Sequence, residues 1–354
     1  MTMLKKFKQA ALRSLKSAGV STVVHNSRWR RQRLLILAYH GIALSDEHLF
    51  NGSQFISAEL FRDRLELLRE SKCAVLPLGE AVKRLYADDL PDRAVAITFD
   101  DGLSDFYRRA FPVIKEFDVP VTLYLTTFYS HYQRPVFDLM CSYLLWKGRR
   151  NVLDLRTLTG QDLRTELREL DAREAALAQI HSFARRQKLS ADEKDAFAAS
   201  LAAHLGVDYE SLLEQRTMHN LTSDEVMKLA TGGIDVELHT HRHRTPKDRQ
   251  LFLKEIEDNR KSIQEMTGRN CTHFCYPSGV YDPMFLPWLR EAGVISATTC
   301  EPGFASRSSH ELLLPRFLDN ATLSPIEFES WLTGVSAALP QRRVGARAYA
   351  GGRP

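Results

Sequence analysis

The feature that most restricts the fold is an alternation of short, wholly apolar runs with longer amphipathic ones. Residues 34–39 (LLILAY) form an unbroken apolar run that stops at His40-Gly41. It is too short for a helix and has no polar face, so it reads as a strand buried on both sides. Residues 57–68 follow, with Leu60, Phe61, Leu65 and Leu68 at helical spacing and Ser57 placed to cap the first turn. A second apolar run, 94–99, leads into Asp100-Asp101-Gly102; 105–117 reads as a helix and 119–126 (VPVTLYLT) as a third buried strand. Strand, helix, strand, helix, strand is the pattern of a parallel α/β architecture.

The rhythm breaks between residues 131 and 220. Leu, Ala, Glu, Arg and Gln dominate there, strand signals are few, and 165–187 and 191–205 have helical periodicity. The α/β character resumes with Thr222-Ser223-Asp224-Glu225, a helix start. Strands are then expected at 234–238, 273–276 and 295–299, with helices at 247–267, stopped by Gly268, and at 283–292. The expected organisation is one discontinuous α/β domain, 34–130 and 221–335, carrying a helical insertion at 131–220. A basic amphipathic segment, 1–33, precedes it and a flexible Arg-, Gly- and Ala-rich tail, 336–354, follows.

Composition narrows the class. With 44% hydrophobic and 26% charged residues, the chain is globular rather than disordered. A net charge of +4 is too mild to argue for nucleic acid, and no nucleic-acid partner is expected. The charge is unevenly spread: nothing acidic precedes Asp46, while Lys5, Lys6, Lys8, Arg13, Lys16, Arg28, Arg30, Arg31 and Arg33 do. Leu4, Phe7, Ala11 and Leu15 recur among them at near-helical spacing. Such a helix can lie on an anionic membrane surface or pack its apolar stripe on the protein's own body, and both readings stand open. No apolar run of about 18 residues offers a membrane span, and no uninterrupted apolar stretch of signal-peptide type follows the basic N-terminus. The expected location is cytoplasmic, peripheral at the inner face of the membrane. Five scattered cysteines do not resemble a disulfide framework and are expected to be inert thiols.

In parallel α/β folds, functional side chains sit where strands end and loops begin. Three polar clusters occupy such positions: His40, Asp100 with Asp101, and His239 with His243. Two histidines and a carboxylate can hold a divalent ion while leaving positions open for water and substrate. A second carboxylate nearby can take a proton from that water. Gly102 lets the backbone turn sharply, so the adjacent carboxylates can take separate directions.

These residues also carry a resemblance. Ile97-Thr98-Phe99-Asp100-Asp101-Gly102 resembles the first motif of the polysaccharide deacetylases, the NodB-homology or carbohydrate esterase family 4 group. His239-Thr240-His241-Arg242-His243 is similar to their second motif, and Phe274-Cys275-Tyr276-Pro277-Ser278-Gly279 to the third. The resemblance implies a distorted (β/α) barrel with fewer strands than the eightfold form. It implies Asp101, His239 and His243 as ligands of a divalent metal, zinc first, with cobalt or nickel as alternatives. It further implies Asp100 as general base, Thr240 as support for the histidine loop, and the backbone around Tyr276 and Pro277 as the oxyanion holder. The implied reaction is hydrolysis of an acetamide on an N-acetylated glycan. His241, at a variable position of the motif, is expected to face solvent or stand behind the ligands.

The match departs from the family in three places. The late Leu-x-x-His motif that carries the catalytic acid in many relatives is missing, and His310 lies in a polar loop. His40 is the expected substitute. The third motif lacks the arginine that pairs with the catalytic aspartate elsewhere; Arg316, after Leu314-Pro315, could supply that charge. Glu237-Leu238 replaces the small residues common before the second motif. The expected activity is N-deacetylation in surface-glycan or exopolysaccharide synthesis; O-acetyl ester hydrolysis and non-catalytic glycan binding are the alternatives.

Overall fold

Every buried apolar run of the sequence enters a single parallel sheet. A computed structural model describes residues 3–162 and 164–338 of the chain. Its eight main strands are β1 (Leu35–Tyr39), β2 (Ala74–Val75), β3 (Ala94–Phe99), β4 (Thr122–Leu125), β5 (Asp235–Leu238), β6 (His273–Cys275), β7 (Ser296–Thr298) and β8 (Phe317–Leu318). Seven lie in the order β7-β6-β5-β4-β3-β1-β8, and β2 pairs with the start of β3. The chain just before β8 pairs Leu314 with Thr298 of β7, and β8 itself pairs Phe317 with Leu37 of β1. One segment therefore bridges both ends of the sheet, which curls into a distorted (β/α) barrel. The β1–β3 register sets Tyr39 opposite Phe99. His40 and Asp100, each the next residue, consequently leave the sheet side by side.

Alternation along β1 explains why its run is apolar throughout. Leu35, Leu37 and Tyr39 face the outer core beneath the helices, whereas Ile36 faces the barrel interior. Burying each such side chain contributes about 1.5–3 kcal/mol. Helix Leu78–Ala87 closes the inner layer with Leu78, Ala81, Val82 and Leu85. The helices start where their caps dictate. Ser57 accepts from the Leu60 N–H at 3.1 Å ahead of Ala58–Glu70, and Thr222 with Glu225 forms a capping box ahead of Ser223–Thr231.

The intervening segment has its own core, built by Met140, Leu144, Ile180, Phe197, Leu201 and Leu205 on helices Phe137–Lys147, Leu170–Arg186 and Ala191–Leu205. One part of it is not helical. Residues Arg164–Glu166 pair antiparallel with Val152–Asp154, and the following helix begins only at Leu170. The short stretch Thr165-Glu166-Leu167 fits either periodicity, and the adjacent strand decides it.

The N-terminal segment forms helices Met3–Ser17, Val20–His25 and Arg28–Arg31. The first packs on helix Pro325–Thr333 through Leu12, through Gln9, whose Nε2 donates to Glu327 at 3.1 Å, and through Lys16, 2.6 Å from Glu329. The stripe read from the sequence is not packed along its length: Phe7 and Ala11 point outward, whereas Leu15 is half-buried. Arg30 is not a surface charge either. It is fully buried and donates to the carbonyls of Leu332 and Arg33 at 2.9 Å each. The expected flexible tail lies, from residue 339 onward, outside the described residues.

Candidate active site

The Asp-Asp pair is split by its backbone. The Asp100 N–H extends the ladder by donating to Tyr39 O at 2.9 Å. Asp101 then takes φ 70 and Gly102 φ 77, two left-handed residues in succession. Gly102 is obligatory, since a Cβ there would stand 2.3 Å from Leu125 Cδ1. Asp101 has a Cβ and is strained by this conformation. Its carbonyl is held by the Asn220 amide at 3.0 Å and the Thr126 N–H at 3.3 Å. The turn sends the two carboxylates to different partners.

Asp101 faces the histidines. One of its oxygens, Oδ1, lies 3.2 Å from His239 Nε2 and 3.1 Å from His243 Nε2. His239 follows β5; its N–H donates to Asn259 Oδ1 at 2.9 Å, and its Nδ1 lies 2.9 Å from the Cys275 carbonyl. A carbonyl can only accept, which assigns the proton to Nδ1 and leaves the Nε2 lone pair facing a carboxylate oxygen. Two acceptors at that distance repel unless a second proton or a cation lies between them. The three ligand atoms lie within 4.8 Å of one another, and their N, N, O chemistry suits a divalent ion with open positions. Burial pushes the Asp101 carboxyl up, but His243 and His239 outweigh it and hold it well below the usual carboxylate range. Burial likewise lowers His243, and Asp101 reverses that into a net rise. Thr240 and His243 both have positive φ, and Thr240 Oγ1 accepts the Arg244 N–H at 3.0 Å, pinning the loop from inside.

Asp100 faces a cation of the protein's own. Arg316, fully buried, meets it with two parallel bonds of 2.7 Å each. The guanidinium also donates to Thr299 O at 2.9 Å and to Thr98 Oγ1 at 3.2 Å. Burial drives the Asp100 carboxyl up; Arg316 overcomes this and keeps it below its ordinary value. His40 Nε2 lies 3.9 Å from Asp100 Oδ2 on the more open side. The loop behind it is fixed by Asp105, whose Oδ1 accepts the Ile42 N–H at 2.9 Å, and by Gly41, where a Cβ would meet Phe55 at 2.3 Å.

Tyr276 behaves differently from expectation. Its N–H is spent in the sheet on Thr298 O at 3.2 Å, and its hydroxyl donates to Leu312 O at 3.0 Å. Pro277 has no N–H. The next one belongs to Ser278, at φ 56, which has no hydrogen-bond partner among the described residues. His241 turns away from Asp101, with Nδ1 2.9 Å from Thr127 Oγ1. Sequence reasoning did not single out Cys275 within the site; its Sγ is 3.0 Å from Arg316 and 3.5 Å from Asp100. Its position at the end of a buried strand, in register with the other site residues, was the available signal. Asn220, Asn259 and Asp105 act on backbone groups and left no such signal.

The chain matches known proteins in the same regions. The sequence model of the family described as Polysaccharide deacetylase matches residues 87–186 and 201–296. YxkH of Bacillus subtilis (strain 168), which carries the same family name, is 21% identical over 306 residues, spanning 85% of this chain and 76% of that one. The poly-β-1,6-N-acetyl-D-glucosamine N-deacetylase of Staphylococcus epidermidis is 29% identical over 110 residues, 28% of this chain and 38% of that one. Among solved structures, the Streptococcus pyogenes deacetylase PplD in complex with acetate superposes with a TM-score of 0.54 at 19% identity, covering 83% of this chain and 95% of that one. IcaB from Ammonifex degensii gives 0.51 at 18%, covering 85% and 97%. These structures share the fold. The family match spans more than half of the chain, which therefore belongs to the polysaccharide deacetylase family.

Proposed function

We propose that the chain hydrolyses the acetamide of an N-acetylated sugar in a surface glycan or exopolysaccharide, with zinc as the resident ion at Asp101, His239 and His243. The observation that carries this reading is the division of labour between adjacent carboxylates. Asp101 shares one oxygen with two imidazoles, while Asp100 is held ionised by Arg316. A divalent ion at the first set would polarise the acetyl carbonyl and acidify a water. Asp100, kept as carboxylate, accepts the proton of that water. His40, beside it on the open side, donates a proton to the departing sugar nitrogen, which an amide leaving group requires. The Ser278 N–H is the backbone donor we assign to the oxyanion, in place of the Tyr276 group already bonded in the ladder. The name of the Staphylococcus epidermidis relative supports the choice of N-acetylglucosamine as the sugar.

Acetate release from β-1,6-linked N-acetylglucosamine oligomers tests this. Wild type should release acetate, and Asp100→Asn should lose about 10²–10⁴-fold in turnover. A metal-loaded wild type inert towards every N-acetylated sugar would refute it.

A further inference from the structure

The N-terminal helix docks on the barrel by the wrong face for a helix that only needs to hide apolar surface. At about 100° per residue, Gln9, Leu12 and Lys16 share the edge that meets helix Pro325–Thr333. Those contacts are largely polar. The opposite side carries Met3, 88% exposed, and Phe7, 73% exposed, with exposed Ala10, Ala11 and Ser14 between and below them. Lys6 and Arg13 flank this strip, both exposed and both without an ion-pair partner among the described residues. A fold that spends charges on docking and leaves an aromatic ring in water has the apolar face in the wrong place for its own core.

The helix also points its apolar end at the active-site end of the barrel. Lys5 donates to the carbonyl of Thr322. Three residues earlier, the Asp319 N–H donates at 3.1 Å to Ala38 O, near the carboxyl end of β1, which His40 follows. The same turn holds the loop after His40, because the Ala321 N–H donates to Gly52 O at 2.9 Å. That loop carries the short helix Glu47–Phe50, on which Leu49 is 67% exposed. The first turns of the N-terminal helix and the loop that carries Leu49 are thus both tied to the turn after β8, at the carboxyl end of the sheet from which the catalytic groups emerge.

We infer that this end of the barrel is a docking surface for an anionic lipid bilayer: Met3, Phe7 and Leu49 enter the interface, Lys6 and Arg13 meet the headgroups, and the catalytic mouth is turned towards glycan tethered to that membrane. The occupant is argued from charge. Lys6 and Arg13, which border the apolar strip, are exposed and form no ion pair among the described residues, whereas Lys8 and Lys16 are held by Glu327 and Glu329, so the strip is bordered by uncompensated positive charge that suits anionic lipid and repels a second copy of itself. A few large apolar side chains scattered among cations suit a fluid headgroup layer better than the close-packed interface that a stable dimer needs. The statement about tethered glycan rests on the deacetylase reading; the statement about lipid does not.

Sedimentation of the full chain with vesicles of phosphatidylcholine alone, and of phosphatidylcholine mixed with phosphatidylglycerol, tests the inference. Wild type should pellet with the mixed vesicles, less so as salt is raised, and remain in the supernatant with phosphatidylcholine alone. Phe7→Asp with Leu49→Asp should weaken binding to the mixed vesicles by about tenfold or more. Lys6→Glu with Arg13→Glu should do the same. Both double variants should melt where wild type does and release acetate from soluble oligomers at the wild-type rate. Wild type that ignores mixed vesicles, or double variants that bind them equally, would overturn the inference. A dimer in solution that Phe7→Asp disperses, with no vesicle binding, would overturn it in favour of a second copy. Loss of acetate release by wild type would strike the proposed reaction and leave the lipid result standing.

Discussion

At the scale of single residues, the site depends on charges that are paired before any substrate arrives. Arg316 and Asp100 are both buried, so removing one leaves the other uncompensated. Arg316→Met should cost about 3–5 kcal/mol of stability and abolish acetate release; a thermal melt and an activity assay check both. A near-native melting point would contradict the pairing argument. His40 is different, being partly open and bound only loosely to Asp100. His40→Ala should retain metal and melting temperature yet lose about 10²–10⁴-fold in turnover, most on amide and least on activated ester substrates. Much of this was legible in the sequence because charged residues at the ends of apolar strands are conspicuous. Arg316 showed as a weak alternative, since an arginine after a proline has no signature of burial. That the Tyr276 N–H is already bonded was not legible, because it depends on the β6–β7 register, which a three-residue strand does not announce.

At the scale of elements, the loop after His40 is clamped to the helical insertion by Asp46. Its carboxylate accepts from the Tyr143 hydroxyl and, at 2.7 Å, from Lys147 Nζ. Burial pushes the Asp46 carboxyl up, but the Lys147 and Tyr143 bonds prevail and set it below its ordinary value. A group lowered on folding stabilises the fold above its unfolded pKa and loses that contribution as pH falls through the folded value. Asp46→Asn should therefore lower stability by about 1 kcal/mol at neutral pH, and the gap to wild type should narrow as pH falls below the ordinary aspartate value of about 3.9. Melting curves across that range check the sign; a gap that widens in acid would contradict it. The capped helices Ala58–Glu70 and Ser223–Thr231 were readable because Ser57 and the Thr222–Glu225 box announce their own geometry. The hairpin at Val152–Asp154 and Arg164–Glu166 was not, because its strands are defined by each other rather than by either sequence alone.

At the scale of the molecule, two cores share one chain. Among the described residues, the buried core of the insertion takes in Phe55 and Leu103 from the barrel, and half-buried Phe50 packs on it against Tyr143 and Trp146. The shared apolar core is small and the ties at Asp46 and Asn220 are polar, so native-state hydrogen exchange should show the insertion opening as a unit at lower free energy than the barrel strands. Uniform protection across Phe137–Lys147 and β3 would contradict this. The barrel itself followed from its sequence of buried strands, but its closure did not. That depends on residues Glu311–Arg316 pairing with β7 before β8 joins β1, a connection made by loop backbone whose apolar run, Leu312–Leu314, is three residues long and stops at Pro315, too short to announce a strand.

The central claim is that neighbouring carboxylates do different work, one as ligand and one as base. Metal titration of the metal-free protein, run beside acetate release, tests it most directly. Asp100→Asn should bind one divalent ion per chain nearly as tightly as wild type while turnover collapses. Asp101→Asn and His239→Ala should weaken metal binding by about 100-fold or more. If Asp100→Asn loses the ion, or Asp101→Asn holds it with unchanged affinity, the assignment of roles is wrong.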